Sequence, residues 1–185
     1  MRESGCAKLS QIILNKMNLR LEKVYKKNLQ ILDSIIGLKI VSAIEEQYFF
    51  EGKLDEESRG TLKLEFSNGK EFLFYCDSDA ESINIQKGGF MDKTAMEAGC
   101  ENGMYKWKKK EYLSKEKLES FEIIEKTEIE ICTLEQDNTQ SGCRISFQNG
   151  DFLHIWTIIS DNIFYGINEE PPYYKKEGLK IELKC

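Results

Sequence analysis

Hydrophobic positions between Leu9 and Ile36 fall in steps of one, three and four (Leu9, Ile12, Ile13, Met17, Leu21, Val24, Tyr25, Leu29, Leu32, Ile35), the spacing of one helical face. No proline interrupts the run, and Gly37 stands where a helix would be capped. The pattern predicts helix over 8–37, as one segment or as a pair broken near Asn18. From Leu38 onward the period changes to two. Thr61-Leu62-Lys63-Leu64-Glu65-Phe66 alternates as a half-buried strand does, and the polar stretch Asp55 to Gly60 before it reads as a turn.

The same pattern then returns. Leu64 to Tyr75 is echoed by Ile145 to Trp156, with a phenylalanine, an asparagine and a glycine each recurring 81 positions later. Self-similarity of this kind predicts a duplicated unit. The expected fold is α+β: an amphipathic helix or helix pair packed on antiparallel sheet built from two repeated four-stranded meanders. The first unit covers 38–86 and the second 121–170, with a polar turn at Gln136 to Gly142. Between them 87–120 reads as a connecting loop followed by a short helix capped by Ser114. After Pro171-Pro172, residues 178–184 alternate again and predict a final edge strand. Each unit is too small to hold a strong core alone, so the whole of 1–185 is expected to form one domain around a shared interior.

The repeat also selects a hairpin register. A two-residue turn at Asn68-Gly69 would set Phe66 against Glu71. A three-residue turn with the glycine left-handed sets Leu64 against Phe72 and, in the second copy, Ile145 against Leu153. Apolar meets apolar in both copies only with the longer turn. That register leaves Phe152, His154 and Trp156 on the outer face of the second hairpin, which therefore needs a cover from the chain's own helix or strands, or from a partner.

Net charge is −6 from 26 basic and 32 acidic side chains, which disfavours general nucleic-acid binding and favours a cationic protein partner. Lys106-Trp107-Lys108-Lys109-Lys110 is the one basic patch, and it reads as a solvated segment with its tryptophan turned inward. The longest apolar runs are too short to span a bilayer and the N-terminus lacks a secretory h-region, so the expected location is cytoplasmic, without membrane association. Six scattered cysteines form no Cys-x-x-Cys pair, and His154 is the only histidine, so neither a zinc site nor another cofactor is expected. A hairpin turning at Asp137-Asn138 would place Cys132 opposite Cys143; a reducing compartment argues against their bonding.

Asp77, Asp79 and Glu81 open like a calcium loop, but Ser82 and Gly88 occupy the places where such a loop wants glycine and glutamate. They read as an exposed acidic turn. His154 with Ser146, Ser160 or Cys143 could form a base and a nucleophile, yet no nucleophile-elbow motif surrounds them. No catalysis is expected.

In its size, acidity, isoleucine- and lysine-rich composition, and order of helix before meandering strands, the chain resembles the small acidic immunity proteins of bacterial toxin/immunity systems, including contact-dependent inhibition. The likeness is one of build and carries no residue role with it. It implies a non-catalytic protein that caps and neutralises a basic toxin domain, through acidic residues Asp77, Asp79, Glu81, Asp161, Glu169 and Glu170 and the aromatic anchors Tyr75 and Trp156. The alternative is a small-molecule-binding or hydrolytic enzyme with its pocket between the two β units. Oligomeric state is not legible in the sequence.

Overall fold

The computed structural model describes residues 19–76, 82–90, 105–134, 137–157, 162–172 and 180–184. Helix α1 (Leu19–Asp33) leads into β1 (Ile40–Phe50), β2 (Lys53–Phe66), β3 (Glu71–Cys76), β4 (Ile83–Lys87) and β5 (Tyr105–Glu111). Helix α2 (Lys115–Ser120) then opens a second series: β6 (Ile124–Leu134), β7 (Asp137–Phe147), β8 (Phe152–Thr157), β9 (Ile163–Ile167) and β10 (Lys180–Lys184). The first sheet has the order β4-β3-β2-β1-β5 and the second β10-β6-β7-β8-β9. Each is a four-stranded meander, as the repeat predicts, extended by a fifth strand that returns to lie beside the first.

That fifth strand corrects the reading of 87–120 as loop plus helix. β5 pairs antiparallel with β1, just as β10 pairs with β6. Only the short helix is where the sequence placed it, with Ser114 Oγ accepting from Lys117 N at 3.3 Å.

The turns repeat in detail. Gly69 and Gly150 both have positive φ (77° and 87°), and the asparagine before each accepts from the backbone of the residue after it. The resulting registers, Leu64↔Phe72 and Ile145↔Leu153, are those of the three-residue turn. Matching bulges interrupt β1–β2 between Ile40 and Ser42 and β6–β7 between Ile124 and Lys126.

The first turn of each unit differs from expectation. Glu51 and Gly52, with φ of 48° and 77°, form a two-residue turn of the kind whose twist matches a hairpin, so Asp55 to Gly60 is strand. In the second unit Leu134 pairs with Asp137, and Asp137 to Gly142 is likewise strand. Cys132 consequently pairs with Thr139 and Cys143 with Ile129, so the two cysteines are not opposed, and neither is in a disulfide.

One apolar cluster runs through both sheets, including Leu62, Leu64, Phe66, Phe74 and Ile85 from the first and Ile129, Ile145, Phe147, Leu153 and Ile155 from the second. Burying each such side chain contributes roughly 1.5–3 kcal/mol. The starts of the two units are tied by Gly37 N to Ile124 O and Ile124 N to Leu38 O, both 2.9 Å. Helix α1 adds Leu32 to this interior, and Ile35 in the turn after it joins the same cluster. Its Asn28, fully buried, donates to Ile83 O and accepts from Ile85 N, both at 3.0 Å, so a side-chain amide pairs with the edge of β4 as a further strand would.

Candidate functional site

The outer face of the second sheet carries a buried polar cluster. Cross-strand pairing places Glu130 (β6) beside Gly142, Arg144 (β7) beside His154, and His154 (β8) beside Gly166 (β9). Glycine at 142 and 166 leaves room for larger groups above them. A Cβ on Gly166 would come within 2.7 Å of Glu169 Cβ, because the chain after β9 folds back over this face. That strap is pinned at its start by Asn168, whose N donates to Phe152 O and whose Oδ1 accepts from Phe152 N, each at 2.9 Å. The Asn168 amide also donates to Asp151, which holds that exposed carboxyl below its ordinary range.

Within the cluster, Glu130 Oε1 accepts from Ser141 Oγ at 2.6 Å, and Glu130 Oε2 lies 2.9 Å from His154 Nε2. On the other side of the ring, His154 Nδ1 lies 3.4 Å from Glu170 Oε2, and Arg144 donates to Glu170 Oε1 at 3.1 Å while stacking 3.6 Å from the Phe152 centroid. The side chains of Glu130 and His154 are 0% exposed. A carboxylate so placed is tolerable only when hydrogen-bonded, and the arrangement supplies that.

Its chemistry is that of a closed support. In a hydrolytic triad the imidazole stands between nucleophile and orienting carboxylate; here the carboxylate stands between hydroxyl and imidazole. Cys143 points to the opposite face, where burial pushes its thiol up out of the reactive range. Among the described residues no group of three His, Cys, Asp or Glu side chains is placed to hold a metal ion.

The open surface lies on the first unit. β1 and β2 continue to the Glu51-Gly52 turn with β5 alongside, forming an arm. Tyr48 stacks on Tyr105 (centroids 5.7 Å), and tilted contacts join Tyr48 to Trp107 (4.9 Å) and Phe50 to Tyr105 (5.2 Å). Phe50 and Leu54 are 39% and 42% exposed. A cleft of about 270 Å³, lined by Glu45, Glu46, Gln47, Leu54, Asp55, Glu56 and Arg59, adjoins a shallower one of about 640 Å³ bordered by Tyr48, Phe50 and Tyr105. Glu45 is fixed by Tyr165 of the second sheet, whose hydroxyl donates to it at 2.7 Å, and Arg59 donates to Tyr165 O at 3.3 Å. The cleft therefore has a braced floor and an acidic, aromatic rim.

No protein-family model, curated protein or solved structure matches the chain. The site must be read from its own geometry.

Of the residues singled out in the sequence, Asp77, Asp79, Glu81 and Asp161 lie outside the described residues. Trp156 is 6% exposed, between His154 and Phe164, which corrects its assignment as an anchor for a partner. Its cover is the chain's own: the strap after β9 lies on this face, rather than α1. Glu170 is committed to Arg144 and His154, Glu169 packs over Gly166, and half-buried Tyr75 donates to Gln86 Oε1 at 3.2 Å. Glu130 and Ser141 were missed. The available signal was Glu130 itself, a charge at an interior position of a strand flanked by Ile129 and Ile131.

Proposed function

We propose that the chain is a non-catalytic binding protein that neutralises a basic protein partner, in the manner of an immunity protein bound to its cognate toxin. The observation that carries this reading is the arm of the first unit, where five carboxylates (Glu45, Glu46, Glu51, Asp55 and Glu56) share adjoining clefts with exposed Phe50 and half-buried Tyr48 and Tyr105. Aromatic anchors beside charged groups suit a protein interface, and the carboxylates select a cationic surface by attraction over a distance. The inter-sheet space, where an enzyme's pocket was the alternative, is filled by apolar side chains. The histidine that could have served as a base is enclosed.

The reading is tested by co-expressing the chain with the toxin-like product of a neighbouring gene. Growth protection and a submicromolar complex are expected, with affinity falling at least tenfold in Asp55→Lys or Tyr105→Ala and with rising salt. Failure to bind or protect would refute it. Protection unaffected by both substitutions would move the interface away from the arm.

A further inference from the structure

The two fifth strands differ in a way that the meanders do not. β10 reads Lys-Ile-Glu-Leu-Lys, whereas β5 reads Tyr-Lys-Trp-Lys-Lys-Lys-Glu. Lys106, Lys108, Lys109 and Lys110 are all exposed, and none makes an ion pair within the described residues. Lys108 lies 4.2 Å from the Phe49 ring centroid and Lys109 4.8 Å from that of Phe90, and no carboxylate neutralises any of the four within the described residues, a concentration of positive charge in a chain of net charge −6. β5 is also the last strand of its sheet among the described strands, so one row of its backbone donors and acceptors faces away from β1. Such an edge is a template for another strand.

Charge decides which strand it admits. A second copy pairing antiparallel through β5 would set lysine against lysine, which is destabilising. An acidic strand meets the opposite situation, and β1 already provides the example: Glu45 stands opposite Lys110 and Glu46 opposite Lys109. Lys106, Lys108 and Lys110 share one face of β5, while Tyr105 and Trp107 share the other. A phosphate backbone suits this strip less well, because no row of phosphates would use the strand's backbone donors and acceptors.

We propose that the outer edge of β5 takes up an extended acidic segment of a partner protein by strand addition, with alternate carboxylates on Lys106, Lys108 and Lys110 and an apolar side chain packed on Tyr105 and Trp107. This surface shares Tyr105 with the shallower cleft, whereas Lys106, Lys108 and Lys110 line neither cleft.

The test uses the full chain, isotope-labelled, with a seven-residue peptide of alternating glutamate and valine. Binding should perturb backbone amides of residues 105–111 first and change the Trp107 emission. In the Lys106→Glu/Lys108→Glu/Lys110→Glu variant, shown to be folded by its unchanged circular dichroism, affinity for the acidic peptide should fall at least tenfold while a lysine–valine peptide gains affinity. Three results would overturn the proposal: no binding, equal binding of an acidic peptide carrying a central proline, or tighter binding of an oligothymidine to the same amides. The last would assign the strip to single-stranded nucleic acid.

Discussion

The two outer faces share a frame but hold different chemistry. Lys63, Glu71, Leu73, Phe90 and Glu46 of the first unit occupy the places that Arg144, Phe152, His154, Glu170 and Glu130 fill in the second. The straps begin alike: Gly88, with φ of 119°, donates to Glu71 O at 3.1 Å, and Asn168, with φ of 55°, donates to Phe152 O at 2.9 Å. Yet the partners of the conserved cation are exchanged. Lys63 bonds Glu71 at 2.8 Å and lies 6.0 Å from the Phe90 ring, whereas Arg144 stacks on Phe152 and bonds Glu170. The buried glutamate is met from opposite sides: Glu46, 3% exposed, stands opposite Lys109 of β5, and Glu130 is held by His154 of β8, since Leu183 stands opposite it on β10. The two copies thus share the backbone and the placement of a buried carboxylate while the residues that stand around it differ.

The largest expected effect comes from breaking the second solution alone. His154→Leu, which installs the first unit's residue, leaves Glu130 buried with Ser141, and unfolding free energy should fall by about 3–5 kcal/mol in denaturant titration. The matching change Leu73→Ala removes apolar volume only and should cost about 2–4 kcal/mol, without coupling to Glu46 in a double-mutant cycle.

Alanine at the glycines comes next. A Cβ on Gly60 would lie 2.6 Å from the Trp107 ring and 2.9 Å from Glu46 Cβ, and one on Gly142 would lie 2.8 Å from Ile155 O. Each substitution should cost about 1–3 kcal/mol. Gly60→Ala should also shift tryptophan emission, because Trp107 must move.

Smaller again is the difference between the two cations. Arg144→Ala should cost about 1–2 kcal/mol, since it leaves Glu170 beside His154 without its hydrogen-bond donor. Lys63→Ala should cost under about 1 kcal/mol, as half-exposed pairs do.

The smallest effect at neutral pH concerns the tyrosines between the sheets, where Tyr165 stands in the place that Ile85 holds in the first unit. Burial pushes the Tyr112 hydroxyl up to about 12, and burial with donation to Glu45 pushes Tyr165 up further. The unfolded chain releases these protons near pH 10 while the native one retains them. Their contribution is therefore complete below about pH 10 and is lost as pH rises toward 12. Tyr112→Phe should change stability by under about 0.5 kcal/mol at pH 7, its bond to Tyr165 O being long at 3.4 Å, and should flatten the fall above pH 10.

How far the sequence disclosed this structure follows from what generates pattern. Hairpin register was legible because two copies constrained it and because Leu64, Phe72, Ile145 and Leu153 all enter the shared core. β5 was not, since its lysines lie beyond the core and impose no alternation on burial; β1 supplies its pairing. Asp55 to Gly60 was mistaken for a turn for the same reason, as this part of the strand contributes no side chain to the apolar core. His154 and Trp156 were placed on the correct face, but their cover could not be foreseen, because Glu169-Glu170-Pro171 looks like any polar exit from a strand. The acidic clefts depend on Glu45, Glu46 and Asp55 converging across a long hairpin, which local sequence does not reveal.

The most direct test of the shared frame is to rewrite the second outer face as the first: Arg144→Lys, Phe152→Glu, His154→Leu, Glu170→Phe and Leu183→Lys together, with unfolding free energy read from denaturant titration. If both faces are alternative fillings of one backbone frame, the five changes should cost no more than about 2 kcal/mol, less than His154→Leu alone. A loss equal to or greater than the sum of the five single losses would contradict it.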